Sequence, residues 1–202
     1  MSSRDVVLGR LRAALNGAPA PAEVPREYRR TVEMSDPIDV LTDRLTDYRA
    51  VVHRGSPDVA ATVRAILAEG RLVVPPGLPP EWLPDGLEVL RDEGLDADTL
   101  AGVDGVVTAA SVAVAETGTI VLDASSDQGR RIITLLPDLH ICVLRPEQVV
   151  ASVPEAVARL TPGRPLTWIS GPSATSDIEL NRVEGVHGPR RLHVIILEAP
   201  DD

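Results

Sequence analysis

The 202-residue chain has no lysine and no phenylalanine, a single cysteine (Cys142), and only four Tyr and Trp residues: Tyr28, Tyr48, Trp82 and Trp168. Without lysine there is no Schiff-base chemistry, no pyridoxal phosphate anchor and no phosphate-binding P-loop lysine. One thiol is too few for an iron–sulfur cluster or a structural zinc within this chain. The lack of a disulfide framework points to a reducing compartment. Cys142 stands in the apolar run Ile141–Leu144, where a small buried hydrophobe is expected. So few rings leave little for base stacking, and the core must be built from Val, Leu, Ile and Ala. No apolar run approaches the ~20 residues that span a bilayer. The charged start lacks a signal-peptide core, so a cytoplasmic protein is expected. No two glycines are spaced G-x-G, and G-x-S-x-G and H-E-x-x-H are also missing.

What is present is a globular composition, 44% apolar and 25% charged. The length suits one domain, with a core that needs no staples. The net charge of −10 is unevenly spread. Residues 1–30 carry six Arg against three acids, and the remainder fourteen Arg against twenty-seven acids. The acidic body would repel phosphates, so no nucleic-acid partner is expected.

The chain divides into an arm, residues 1–35, and one α/β domain, residues 36–202. In the arm, Val7, Leu11, Ala14 and Leu15 follow helical spacing up to Asn16-Gly17. Pro19, Pro21 and Pro25 then make a linker with a basic end. The arm either packs on its own body or docks on a partner. Asp36-Pro37 and Ser56-Pro57 read as helix caps. Gly70 reads as a stop. Short strands are expected at 50–53, 71–74, 88–90, 105–108, 140–144, 166–169 and 191–197, with a hairpin at 112–123. The spacing of Val149, Val150, Val153 and Val157 predicts a helix over 146–160 that turns these valines inward. A mostly parallel sheet flanked by helices follows from this alternation. Trp82, in a Pro-rich loop, is expected to cover an apolar patch.

Three loops carry the chemical residues. Glu116, Thr117 and Gly118 turn the hairpin, and Glu116 is a candidate base. Ser170, Gly171, Ser173, Thr175 and Asp177 follow the 166–169 strand. The rule for open α/β sheets places that loop at the carboxyl ends of the strands, where ligands bind. Its hydroxyls and backbone amides suit an anion. His187 and Gly188 lie in a Gly-x-His-Gly-Pro turn, and His187 suits proton transfer. Gly129 frees the backbone, Arg130 and Arg131 could clamp an anion, and Arg130 is the one expected to hold the ligand. His140 and His193 lie within strands and read as structural. No metal site is expected.

In order along the chain, Ala115–Thr119, Gln128–Arg131 with Thr134–Pro137, Asp138–Val143, Ser170–Glu179 and Gly185–Pro189 resemble the lactate utilization protein C family, built on the LUD domain. The resemblance covers about residues 100–198. It implies a fold similar to ribose-5-phosphate isomerase, glucosamine-phosphate deaminase and CoA transferases. It also implies a role in oxidising L-lactate to pyruvate beside iron–sulfur partner proteins that hold the clusters. Whether the chain is itself an enzyme stays open. It is an accessory subunit, or an enzyme or binding protein for a small anion: a sugar phosphate, a hydroxy acid or a CoA ester. A third course is a transferase with an acyl–Glu116 intermediate.

Overall fold

The computed structural model describes residues 2–17, 24–175, 183–184 and 188–198, with residues 174, 175, 183 and 184 described by their backbone. Helices α1 (Ser3–Leu15) and α2 (Pro37–Asp47) come first. They are followed by β1 (Val51–Arg54), α3 (Val59–Ile66), β2 (Arg71–Val74), β3 (Glu88–Arg91), α4 (Ala97–Ala101) and β4 (Gly105–Ala109). The second half holds β5 (Val112–Val114), β6 (Thr119–Leu122), β7 (Leu139–Leu144), β8 (Val149–Val150), α5 (Val153–Arg159) and β9 (Thr167–Ile169). It ends with β10 (Ala174–Thr175), β11 (Val183–Glu184) and β12 (Arg191–Ile196).

Six strands pair in the order β1-β12-β7-β4-β2-β3, all parallel. The α/β architecture expected from the sequence is therefore present. β4 and β7 are buried at every position, as strands covered on both faces must be. A second sheet, β8-β5-β6-β9, lies against one face of the first. Between the sheets, Cys142, Leu144, Val194 and Ile196 meet Ala113, Ala115, Ile120 and Leu122, with Leu41 and Leu45 of α2. On the opposite face, Leu139, Ile141 and Val143 of β7 meet Val59 and Val63 of α3. Trp82 is buried in that cluster, with the Arg145 guanidinium 5.1 Å from its ring. It is the expected cover.

Local signals account for most ends. Asp36 caps α2 by accepting from the amides of Ile38 and Asp39. The hairpin forms as expected, with Val112 opposite Val121. Three expectations need correction. Asp58 caps α3, not Ser56: its carboxylate accepts from the Ala61 amide, while Ser56 Oγ lies 2.6 Å from Thr62 Oγ1. α3 ends at Ile66, before Gly70. Residues 146–160 are not one helix. Gln148 is held to the chain ahead of β5, its Nε2 donating to the Ala110 carbonyl at 2.6 Å. Val149 and Val150 then pair with Ala113 and Val114. Pro154 sits in the first turn of α5, where a missing N–H costs nothing. Val157, expected inward, is 56% exposed.

The arm does not pack α1 on the body: none of its residues is buried. Its root is held where the Val32 amide donates to Glu155 Oε1 at 3.0 Å. Among the described residues, no helix is long and apolar enough to cross a membrane.

Candidate functional site

A cleft of about 270 Å³ opens between the two sheets. Its walls are β9, the Ser170–Ser173 loop, Gly188, Pro189 and Leu192, and the 3-10 turn Arg131–Thr134. His140 lies at its floor. His140 and Leu192 are the second residues of β7 and β12. The cleft therefore lies at the amino ends of these parallel strands, opposite the end expected for an open α/β sheet. The reason is topological: β9 belongs to the second sheet, antiparallel to β6, and delivers its loop to that end. The carboxyl end carries a shallow groove with Asp58, Glu81 and Glu198 on its walls, and such a surface repels anions.

The Ser170–Ser173 loop is fixed from several sides. Ser170 Oγ lies 2.8 Å from Thr119 Oγ1, to which Thr117 donates at 2.8 Å. Three hydroxyls thus link the hairpin turn to the cleft rim. Gly171 has φ +81°, and a Cβ there would lie 2.6 Å from Tyr48 Cβ and 2.9 Å from the Tyr48 carbonyl. Only glycine allows the loop this close to the end of α2. The Ser173 amide donates to the Pro189 carbonyl at 2.8 Å, joining the loop to the chain that enters β12.

Adjacent arginines behave differently. Arg130 is bound to the Asp92 carboxylate through Nε and Nη2, and Nη2 also donates to the Leu95 carbonyl at 2.8 Å. Asp92 is buried, and the Arg130 guanidinium holds its carboxyl below the usual carboxylate range. Arg131 has no such partner among the described residues and lines the cleft. Arg190 and Arg191 face Asp138, which is held low by Arg190.

His140 is 1% exposed. Its Nε2 lies 2.8 Å from Thr108 Oγ1, and burial pushes its pKa down to about 4. The imidazole is neutral near pH 7. Cys142, two residues on, is buried with its thiol pushed up to about 12.

Of the residues singled out from sequence, Ser170, Gly171, Ser173 and Gly188 come together in the cleft. Glu116 and Gly118 lie at the hairpin turn, away from the cleft walls. Glu116 Oε1 accepts from the Val153 amide at 3.0 Å and so caps α5. Thr117 reaches the rim through the hydroxyl chain. Gly129 and Arg130 border two neighbouring grooves, one of which shares Arg131, Thr134 and Thr167 with the cleft. Thr175 is described by its backbone, in β10. Asp177 and His187 lie outside the described residues. His140, read from the sequence as structural, is buried and bonded to Thr108, and it also lines the cleft. Sequence reasoning assigned the ligand to Arg130 and not to Arg131, because Asp92, which occupies Arg130, is distant in sequence.

A family model described as the LUD domain matches residues 44–197. Lactate utilization protein C of Deinococcus radiodurans is 44% identical over 198 residues, covering 95% of this chain and 93% of that protein. The Bacillus licheniformis protein of the same name is 30% identical over 58% of this chain and 54% of its own length. The crystal structure of a DUF162 family protein from Deinococcus radiodurans superposes with a TM-score of 0.69 at 43% identity, covering 80% of this chain and 96% of that one. This chain belongs to the LUD domain family.

Proposed function

We propose that this chain serves lactate utilization, the oxidation of L-lactate to pyruvate, as a cytoplasmic subunit working beside iron–sulfur proteins. The observation that carries this reading is the 44% identity to a lactate utilization protein C across nearly the full length of both chains. The division of labour follows from the thiol count. Lactate oxidation releases two electrons, and this chain's only cysteine is buried and held as a thiol, unfit to ligate a cluster. Cluster chemistry, in this reading, belongs to partner chains. In this reading the cleft holds a small anionic metabolite. Arg131 supplies the charge and the Ser170–Ser173 loop supplies hydroxyl and amide donors. Asp177 follows this loop closely in sequence and His187 precedes Gly188 of the cleft wall, so both are candidates to complete the site, with Glu116 as a second candidate base. A cavity of about 270 Å³ is smaller than most drug-sized sites. It favours a hydroxy acid over a CoA ester.

The test is complementation. Deinococcus radiodurans lacking its lactate utilization protein C should regain growth on L-lactate when this chain is supplied. Affinity-tagged chain should then co-purify with cluster-bearing proteins. Growth that returns without any such partner would remove the accessory role. No return of growth, with the protein expressed and folded, would remove the lactate assignment.

A further inference from the structure

Buried His140 is a titratable group of the cleft that the anion reading leaves without a task. Its ring makes one hydrogen bond, Nε2 to Thr108 Oγ1. Nδ1 makes none, yet no buried side-chain nitrogen or oxygen among the described residues lacks a partner. Nδ1 is therefore not sealed in. His140 keeps a residual 1% exposure, and the cleft is the cavity that it lines. A neutral imidazole is a poor seat for a carboxylate, and Arg131 on the same cleft already supplies a cation. What Nδ1 can serve is an uncharged oxygen.

We propose that His140 reads the oxygen next to the carboxylate, so that the cleft takes 2-hydroxy and 2-oxo carboxylates: carboxylate toward Arg131, C2 oxygen toward Nδ1. The proposal rests on the reading of the cleft as an anion site and names its ligand class. Thr108 makes the selection two-way. A hydroxyl both donates and accepts. With Nε2–H donating to Thr108 Oγ1, Nδ1 bears a lone pair and accepts from a hydroxyl. With Thr108 donating to Nε2, Nδ1 carries the proton and donates to a carbonyl. The alcohol and the ketone of one redox pair are thus both matched by tautomers of a neutral ring, and no charge is buried. A simple carboxylate leaves Nδ1 unmatched, which costs affinity.

The experiment is an NMR titration of protein carrying ¹⁵N-histidine with L-lactate, pyruvate and propionate. Lactate and pyruvate should each bind about tenfold more tightly than propionate, the scale of one good hydrogen bond. The His140 Nδ1 resonance should move toward the unprotonated position with lactate and the protonated position with pyruvate. His140→Leu should bring all three to the propionate affinity. Arg131→Gln should weaken all three together. A preference that survives His140→Leu, or an Nδ1 resonance that does not respond, overturns the role of His140 and leaves the anion site standing. No binding by any of the three, or binding indifferent to Arg131→Gln, overturns the anion reading and this proposal with it. Should His140→Leu fail to fold, the Nδ1 resonance of the unaltered protein decides.

Discussion

His53 Nε2 lies 3.0 Å from His193 Nδ1 across the β1–β12 pairing. The ring centroids are 5.3 Å apart and the planes 15° from parallel. The centroid separation exceeds the nitrogen separation by two ring radii. The rings therefore meet edge to edge and share one proton, rather than lying face on face. Burial lowers the pKa of both; His193 is brought to about 4, with His53 and Arg191 adding repulsion.

A pH dependence of stability follows. Unfolded histidine titrates near 6.5. Between there and about 4 the unfolded chain binds more protons than the folded one, so stability falls as pH falls. It is fully present above pH 6.5 and lost progressively toward pH 4, with buried His140 contributing in the same direction. Urea midpoints at pH 7.5, 6 and 5 should fall in that order. His193→Gln should lose less between pH 7.5 and 5 than the unaltered protein. Equal losses would dismiss the pair as a source of acid sensitivity.

The Asp92–Arg130 pair predicts opposite outcomes for neighbouring arginines. Arg130→Ala strands a buried carboxylate and should lower unfolding free energy by about 2 kcal/mol. Arg131→Ala removes a side chain with no partner among the described residues and should cost less than about 0.5 kcal/mol. Urea denaturation of the two variants checks this, and equal costs would contradict the separation of roles.

Gly171→Ala should damage both stability and ligand binding. The added methyl meets the Tyr48 backbone as well as its side chain, and the positive φ adds strain. A loss of about 2 kcal/mol or more is expected. Calorimetry alongside ligand titration reads both effects. A variant as stable as the parent would show that α2 yields freely to the loop.

Removing residues 2–17 should leave the urea midpoint of the body unchanged, because α1 buries nothing. A free helix of this length is marginal in water, so circular dichroism of the isolated 2–17 peptide should show little helix. A drop in midpoint on truncation would reveal packing on the body.

Much of the fold could be read from the chain because its signals are local. The apolar runs read as strands at 71–74, 105–108 and 140–144 do form parallel strands, and β4 and β7 are buried on both faces. Asp36 and Pro37 announce the start of α2 within one turn. The reading failed where partners are remote. Val149, Val150, Val153 and Val157 fit a helical stripe by spacing, yet pairing with β5 draws the first two into a strand. The glycine and serine loop at 170–173 was legible as the loop that follows a strand, since Gly171 and Pro172 do not continue β9. Its position was not, because the antiparallel second sheet reverses the end of the molecule it reaches. His140 was illegible for a different reason. A histidine within an apolar strand looks the same whether its second nitrogen is sealed or faces a cavity.

Cys142 is the chain's single thiol, fully buried in β7 near the middle of the parallel sheet. It reacts with a thiol reagent only when that strand opens. Every molecule thus carries one chemical clock at the centre of its core, and the rate at which the clock is stopped reports how often the two sheets part.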